Sequence, residues 1–175
     1  MRKIITTFSA IFILIASNAF GQAALKEHSI GHVFYLSLPE YMSKTVGLND
    51  ASSIQFKSLV KDVYGFVIED NKEEMKLAEL VYSSADEFFE DFIKDFLIEE
   101  DKRKVSKPLM KRIGTTNFIE CDVSYFDKDA ETEIYYFTGI VETPTAFYKV
   151  LCWSTLANKD KFIADFQRIL YSLKD

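Results

Sequence analysis

From Thr116 onward the hydrophobic positions follow two rhythms in turn. Segments 117–126, 133–142 and 146–155 are dense in β-branched and aromatic residues, which suit a pleated surface. In the second of these, Ile134, Tyr136, Thr138 and Ile140 share one face. Tyr135, Phe137, Gly139 and Val141 share the other. The third repeats the pattern, with Tyr148, Val150 and Cys152 opposite Phe147, Leu151 and Trp153. A strand that is apolar on both faces is buried on both, so the predicted sheet is covered on each side. Short polar turns at 127–131 and 142–145, the second holding Pro144, make the neighbours antiparallel. After Asn158, an N-cap candidate, the rhythm becomes helical. Phe162, Phe166, Ile169, Leu170 and Leu173 form one stripe of a helix over 158–173.

Upstream the pattern is weaker. Residues 32–38 alternate and end at Pro39, which predicts a first strand, and 40–46 suggest a short helical turn. Segments 52–59 and 63–70 read as the second and third strands, with Gly65 as a bulge candidate. Residues 71–80 have no rhythm that assigns them an element. Ser84 opens the longest predicted helix, and Glu87 three positions on completes a capping box. Phe88, Phe89, Phe92, Ile93 and Phe96 supply its apolar stripe, and it is expected to run to about Arg103. It is expected on the sheet face opposite the C-terminal helix. The predicted class is α+β: an antiparallel β-sheet with helices on both faces, an α/β/α sandwich.

The first 21 residues have the form of a secretory signal peptide. Arg2 and Lys3 precede an apolar centre at 11–16, and Ala19-Phe20-Gly21 places small residues for cleavage before Gln22. The apolar run is too short for a good membrane span. No cysteine stands near the cut, which argues against a lipid anchor. The expected location is therefore periplasmic or secreted. Residues 22–175 then form one domain of 154 residues. Loss of Arg2 and Lys3 takes the formal charge from −6 to −8, since residues 1–21 hold no acids. Such a chain repels phosphate backbones and anionic membrane surfaces, so neither is expected as a partner.

The order of elements resembles the PsbP-like or Mog-like α/β/α family across roughly residues 30–175. The resemblance rests on the strand ending Leu38-Pro39, the two strands after it, the helix from Ser84 and the meander. Its most specific parts are the strand Phe147-Tyr148-Lys149-Val150-Leu151-Cys152-Trp153 and the closing Ile169-Leu170-Tyr171-Ser172-Leu173. It implies a small exported protein with an accessory or assembly role rather than a catalytic one. These motifs are structural, so no functional residue transfers position by position.

Candidate chemistry is sparse. Cys121 and Cys152 are the only cysteines. Hairpin arithmetic pairs Cys121 near Thr138 and Cys152 near Tyr135, two strands apart and about 10 Å from each other. That exceeds the reach of a disulfide, so buried thiols are expected. His28 and His32 lack a third ligand nearby. Asp127, Asp129, Glu131 and Glu133 resemble the start of a Ca²⁺ loop, but Thr132 and Thr138 stand where Gly and Glu are required. No metal or cofactor is expected. Glu87, Glu90, Asp91, Asp95 and Glu99 make the long helix acidic, either as a solvated face or as a surface for a basic partner. No phosphate-binding, zinc-protease or nucleophile-elbow motif occurs. The expectation is a non-enzymatic accessory domain that binds a protein of the cell envelope. The alternative is a small-molecule carrier whose aromatic residues line a cavity between sheet and helix. A hydrolase would require two carboxylates with raised pKa in a cleft.

Overall fold

The computed structural model of the protein describes residues 22–31 and 33–175. The signal-peptide reading of residues 1–21 and the ligand reading of His32 lie outside the described residues. The elements in chain order are β1 (Leu25–Ile30), β2 (Phe34–Pro39), β3 (Ser43–Thr45), β4 (Ile54–Ser58) and β5 (Val63–Asn71). Two helices follow, α1 (Lys72–Leu77) and α2 (Ala85–Asp95). Then come β6 (Asp101–Val105), β7 (Leu109–Ile113), β8 (Thr116–Asp127), β9 (Thr132–Glu142) and β10 (Ala146–Thr155). A 3₁₀ turn, Leu156–Asn158, leads into α3 (Lys159–Ser172).

One eight-stranded sheet runs β3-β4-β5-β10-β9-β8-β6, with β7 also on β8. Its pairings are antiparallel. The meander β8-β9-β10 and the closing helix fall where the hydrophobic rhythm put them. Along β9 the burial alternates between two clusters. Tyr135, Phe137 and Val141 join Phe162, Phe166, Ile169 and Leu170 of α3. Ile140 joins Met75 of α1 and Ala85, Phe88 and Phe89 of α2. This alternation is why the strand carries apolar residues on both faces.

The N-terminal reading needs correction. β1 and β2 form a separate two-stranded sheet, and Phe34, Leu36 and Leu38 pack into the α3 cluster. Ser37 and Tyr35 tie β2 to the end of α3: the Ser37 N–H donates to Ser172 Oγ at 2.8 Å, and the Tyr35 N–H donates to the Lys174 carbonyl at 2.8 Å. The predicted helical turn at 40–46 is instead β3, whose register with β4 pairs Lys44 with Phe56. No bulge lies at Gly65, since its register is continuous with both Phe56 and Cys152. Glycine is needed there because a Cβ would enter the Phe56 ring and stand 2.9 Å from the Leu151 carbonyl oxygen. Segment 71–80 holds α1, capped by Asn71 Oδ1, which accepts from the N–H groups of Glu73 and Glu74 at 2.9 and 3.2 Å.

The long helix is shorter than its rhythm suggests. Its start is as expected: Ser84 Oγ accepts from the Glu87 N–H at 3.2 Å. The Glu87 carboxylate, however, returns to the N–H and hydroxyl of Ser83, one residue earlier than a standard box. The helix stops at Asp95, and Leu97 takes a left-handed φ of 58°, a conformation in which helices commonly end. The expected N-cap bond of α3 also differs. Asn158 caps nothing with its side chain, which donates to Thr155 Oγ1 at 3.0 Å.

Four rings stand side by side across the sheet. Trp153 stacks on Tyr64 at 5.4 Å and on Tyr136 at 5.3 Å, and Tyr136 stacks on Tyr125 at 6.3 Å between ring centres. They come from β5, β10, β9 and β8, and each is half-buried.

Candidate functional site

The polar groups inside the fold are largely bound to one another. The Glu142 carboxylate accepts from Lys72 Nζ at 2.9 Å, Asn117 Nδ2 at 2.8 Å and the Ala85 N–H at 3.1 Å. Burial alone would raise its pKa. Hydrogen bonds from Asn117 and Lys72, the Lys72 charge and the Ala85 N–H outweigh that and hold the carboxyl below its usual range. Asp122 is closed in the same way, by Tyr135 OH at 2.7 Å and Lys159 Nζ at 2.6 Å. Buried Glu120 receives Gln167 Nε2 at 2.9 Å and Tyr171 OH at 3.0 Å. These pairings join α2 and α3 to the sheet. Among the described residues no group of three or more His, Cys, Asp or Glu is placed to hold a metal ion.

Cys121 and Cys152 are free and buried. Cys152 pairs with Phe137 rather than near Tyr135, because the β9–β10 turn centres on Pro144 and Thr145, one residue later than expected. Cys121 pairs with Thr138 as expected. Since Phe137 and Thr138 are neighbours in one strand, the two thiols point to opposite faces. Burial pushes both above the ordinary thiol range. Asp127 Oδ1 accepts from the N–H groups of Asp129 and Ala130, which makes the acidic stretch at 127–133 a turn.

The predicted acidic face is divided. Glu87 is turned onto Ser83, and Asp91 accepts from Tyr82 OH at 2.6 Å. Glu90 and Asp95 are exposed on α2. Glu99 lies beyond the end of the helix, in the turn before β6, so it does not share their face.

A different surface emerges where the helix was expected to continue. β6 and β7 lie end to end along the outer side of β8. β6 pairs with Val123–Phe126 territory through Val105↔Val123 and Asp101↔Phe126, and β7 pairs from Leu109↔Glu120 to Ile113↔Thr116. Between them Ser106 holds the edge in place: its N–H donates to the Asp122 carbonyl, and its Oγ accepts from the Asp122 N–H. Residues 101–113 carry Lys102, Arg103, Lys104, Lys107, Lys111 and Arg112 against the single acid Asp101, in a chain that is acidic overall. Every residue of β7 is exposed, including Leu109 at 63%, Met110 at 62% and Ile113 at 47%. Met110 and Arg112 also line an open groove of about 350 Å³ beside the start of α2, with Ala85, Asp86, Asn117 and Ile119. Sequence reasoning missed this edge. The available signal was the reversal of charge at 101–113, of which the helical reading of 84–103 took the first three residues and left the rest as a connection.

The architecture, an antiparallel sheet with three α-helices, is the PsbP-like fold that the order of elements implied. Its solved counterparts include PsbP (CyanoP) from Synechocystis sp. PCC 6803, with a TM-score of 0.62 at 14% identity over 92% of this chain and 98% of that one. LpqN, involved in cell envelope biogenesis of Mycobacterium tuberculosis, aligns with a TM-score of 0.58 at 9% identity over 86% of this chain and 90% of its own. PA94 of Pseudomonas aeruginosa, a protein of unknown function, aligns at 0.51 and 8% identity over 86% and 96%. At these identities the likeness is one of fold. No family model and no curated protein matches the sequence. No helix among the described residues is long and apolar enough to cross a membrane.

Proposed function

We propose that the protein is an exported, non-enzymatic accessory module whose work is to bind a protein partner. In this reading residues 22–175 act as one domain, with α2 and α3 on opposite faces of the sheet and the β6–β7 edge left open. The observation that carries the proposal is that edge, where Leu109, Met110 and Ile113 are exposed among cations. Isolated domains seldom leave an apolar edge strand uncovered, because it invites pairing. The carboxylates that a hydrolase would use are occupied by Lys72, Asn117, Tyr135 and Lys159. A carrier would need space between sheet and α3, yet Leu170 fills the room over Gly139. LpqN has a role in envelope biogenesis, and a similar setting suits an exported chain of this fold.

The test places a photo-crosslinking residue at Met110 in one strain and at Glu90 in another, in the native host. Capture of one protein from Met110, followed by binding of the two purified proteins, supports the proposal. Capture from Glu90 alone would move the site to α2. Two empty captures would overturn the binding reading. N-terminal sequencing of the exported form should begin at Gln22, and retention of residues 1–21 in the cytoplasm would overturn export.

A further inference from the structure

We infer that β7 is a docking strand for an extended segment of a partner, one in which two adjacent acidic residues are flanked by apolar ones. The inference rests on the binding-module reading and specifies its site and its ligand class.

The backbone argument comes first. β7 pairs with β8 along one side only, and its other side presents unpaired N–H and C=O groups. β6 is poorly suited to accept a strand. Its register shifts between Asp101 and Lys104, and Lys102 sits at a left-handed φ of 54°, so the edge is bulged there. Pro108 closes the stretch between the two strands. β7 keeps five consecutive pairs with β8 and contains neither a bulge nor a proline. An added strand therefore finds a regular edge over 109–113 and nowhere else on this side of β8.

The side chains set the chemistry. Leu109, Lys111 and Ile113 share one face of β7, and Met110 and Arg112 share the other. Lys111 Nζ lies 4.4 Å from the Tyr171 ring centre, and Arg112 Nε donates to the Gly114 carbonyl at 3.2 Å, so both cations are held close to the strand. A second copy of the chain is a poor occupant. Antiparallel pairing of two β7 strands about their centres sets Lys111 opposite Lys111, and like charges directly opposed are destabilising. An acidic segment reverses that sign. Running antiparallel, its residues opposite Ile113, Arg112, Lys111, Met110 and Leu109 should read apolar, acidic, acidic, apolar, apolar. The residue opposite Met110 then stands at the rim of the groove beside α2. A surface kept merely soluble by its lysines has no need of three exposed apolar residues on a strand that buries neither face.

The test uses the chain from Gln22 and a fluorescent peptide with the core Ile-Glu-Glu-Val-Leu. We expect saturable binding in fluorescence anisotropy, and slower hydrogen exchange at residues 109–113 on binding. The core Ile-Lys-Lys-Val-Leu should bind roughly tenfold or more weakly, because two attractive cross-strand pairs become repulsive. The variant Lys111→Glu with Arg112→Glu should invert that preference while leaving the near-ultraviolet circular dichroism unchanged. Protection appearing on α2 instead, equal affinity for the two cores, or no binding of either would overturn the assignment. A dimer in sedimentation that Lys111→Glu alters would also overturn it, in favour of a second copy. Failure of the peptides while a captured partner still binds the purified protein sinks the β7 assignment alone. Absence of any partner sinks the binding-module reading beneath it.

Discussion

The guanidinium of Arg103 donates from Nε to the carbonyl oxygen of Phe96 at 2.8 Å, and from Nη2 to that of Ile93 at 2.5 Å. Arg103 thus caps α2 from the strand that follows it, by satisfying carbonyls that the end of a helix leaves without partners. Arg103→Ala should cost about 1.5–3 kcal/mol, the range for hydrogen bonds to a charged group. Urea unfolding would read the loss, with faster hydrogen exchange at 92–98. Arg103→Lys keeps the charge without the fork and should recover only part of it. An unchanged unfolding midpoint in Arg103→Ala would refute the cap.

Glu142 predicts a pH dependence. Its pKa in the fold lies below the ordinary 4.5, so its stabilisation is complete above that value and fades as pH falls through the lower folded value. Glu142→Gln should be less stable than the natural protein by about 1–2 kcal/mol at pH 7. The gap should narrow as the pH drops below 4.5. A gap that stays constant down to the acid transition would show that charge is not what Glu142 contributes.

Two glycines make a paired comparison. A Cβ on Gly139 would run into Leu170 Cδ1 and stand 3.0 Å from Leu170 Cδ2, but both are at the tip of a side chain that can turn away. On Gly65 it would meet the Phe56 ring and the Leu151 carbonyl, and the carbonyl belongs to the sheet. Both alanine variants overpack, at about 1–3 kcal/mol. Gly65→Ala should be the more costly in thermal unfolding. Leu170→Val should offset part of the Gly139→Ala loss, so that the double variant is more stable than the two separate losses predict. Equal melting points for the two alanine variants would contradict this ranking.

The thiols offer a chemical check. Cys121 and Cys152 are buried, their ionisation is suppressed, and they face opposite sides of the sheet. Neither should react with Ellman's reagent in the native protein at pH 8, and both should react in urea. A cross-linked product after mild oxidation of the folded protein would show that the strand placement is wrong.

Much of the fold was legible because burial leaves a pattern. β9 and β10 are covered on both faces, so apolar residues fill both, and the three strands and α3 could be read from that alone. Ser84 and Glu87 likewise announced the start of α2. The end of α2 was hidden, because Leu97 stops the helix by a backbone turn that needs no glycine or proline. β6 and β7 bury almost nothing, so they have no alternation to read; the start of β6 continued the look of a surface helix, and β7 fell in the connection expected after it. The candidate edge was illegible for the same reason. Its residues are recognisable only once β8 is seen to hold them in line. Contacts such as Glu142 with Ala85, 57 residues apart, depend on chain reversals that no local rhythm encodes.

The row Tyr64, Trp153, Tyr136 and Tyr125 has an optical consequence. Stacked rings inclined by 18–28° with centres 5.3–6.3 Å apart couple their electronic transitions. Each ring comes from a different strand, so the coupled signal exists only while four strands stay in register. A slip of one residue would turn a ring to the far side of the sheet and break the series. Trp153 is the only tryptophan, and its band can be followed without a label. The protein thus contains its own gauge of strand alignment, readable in solution during folding.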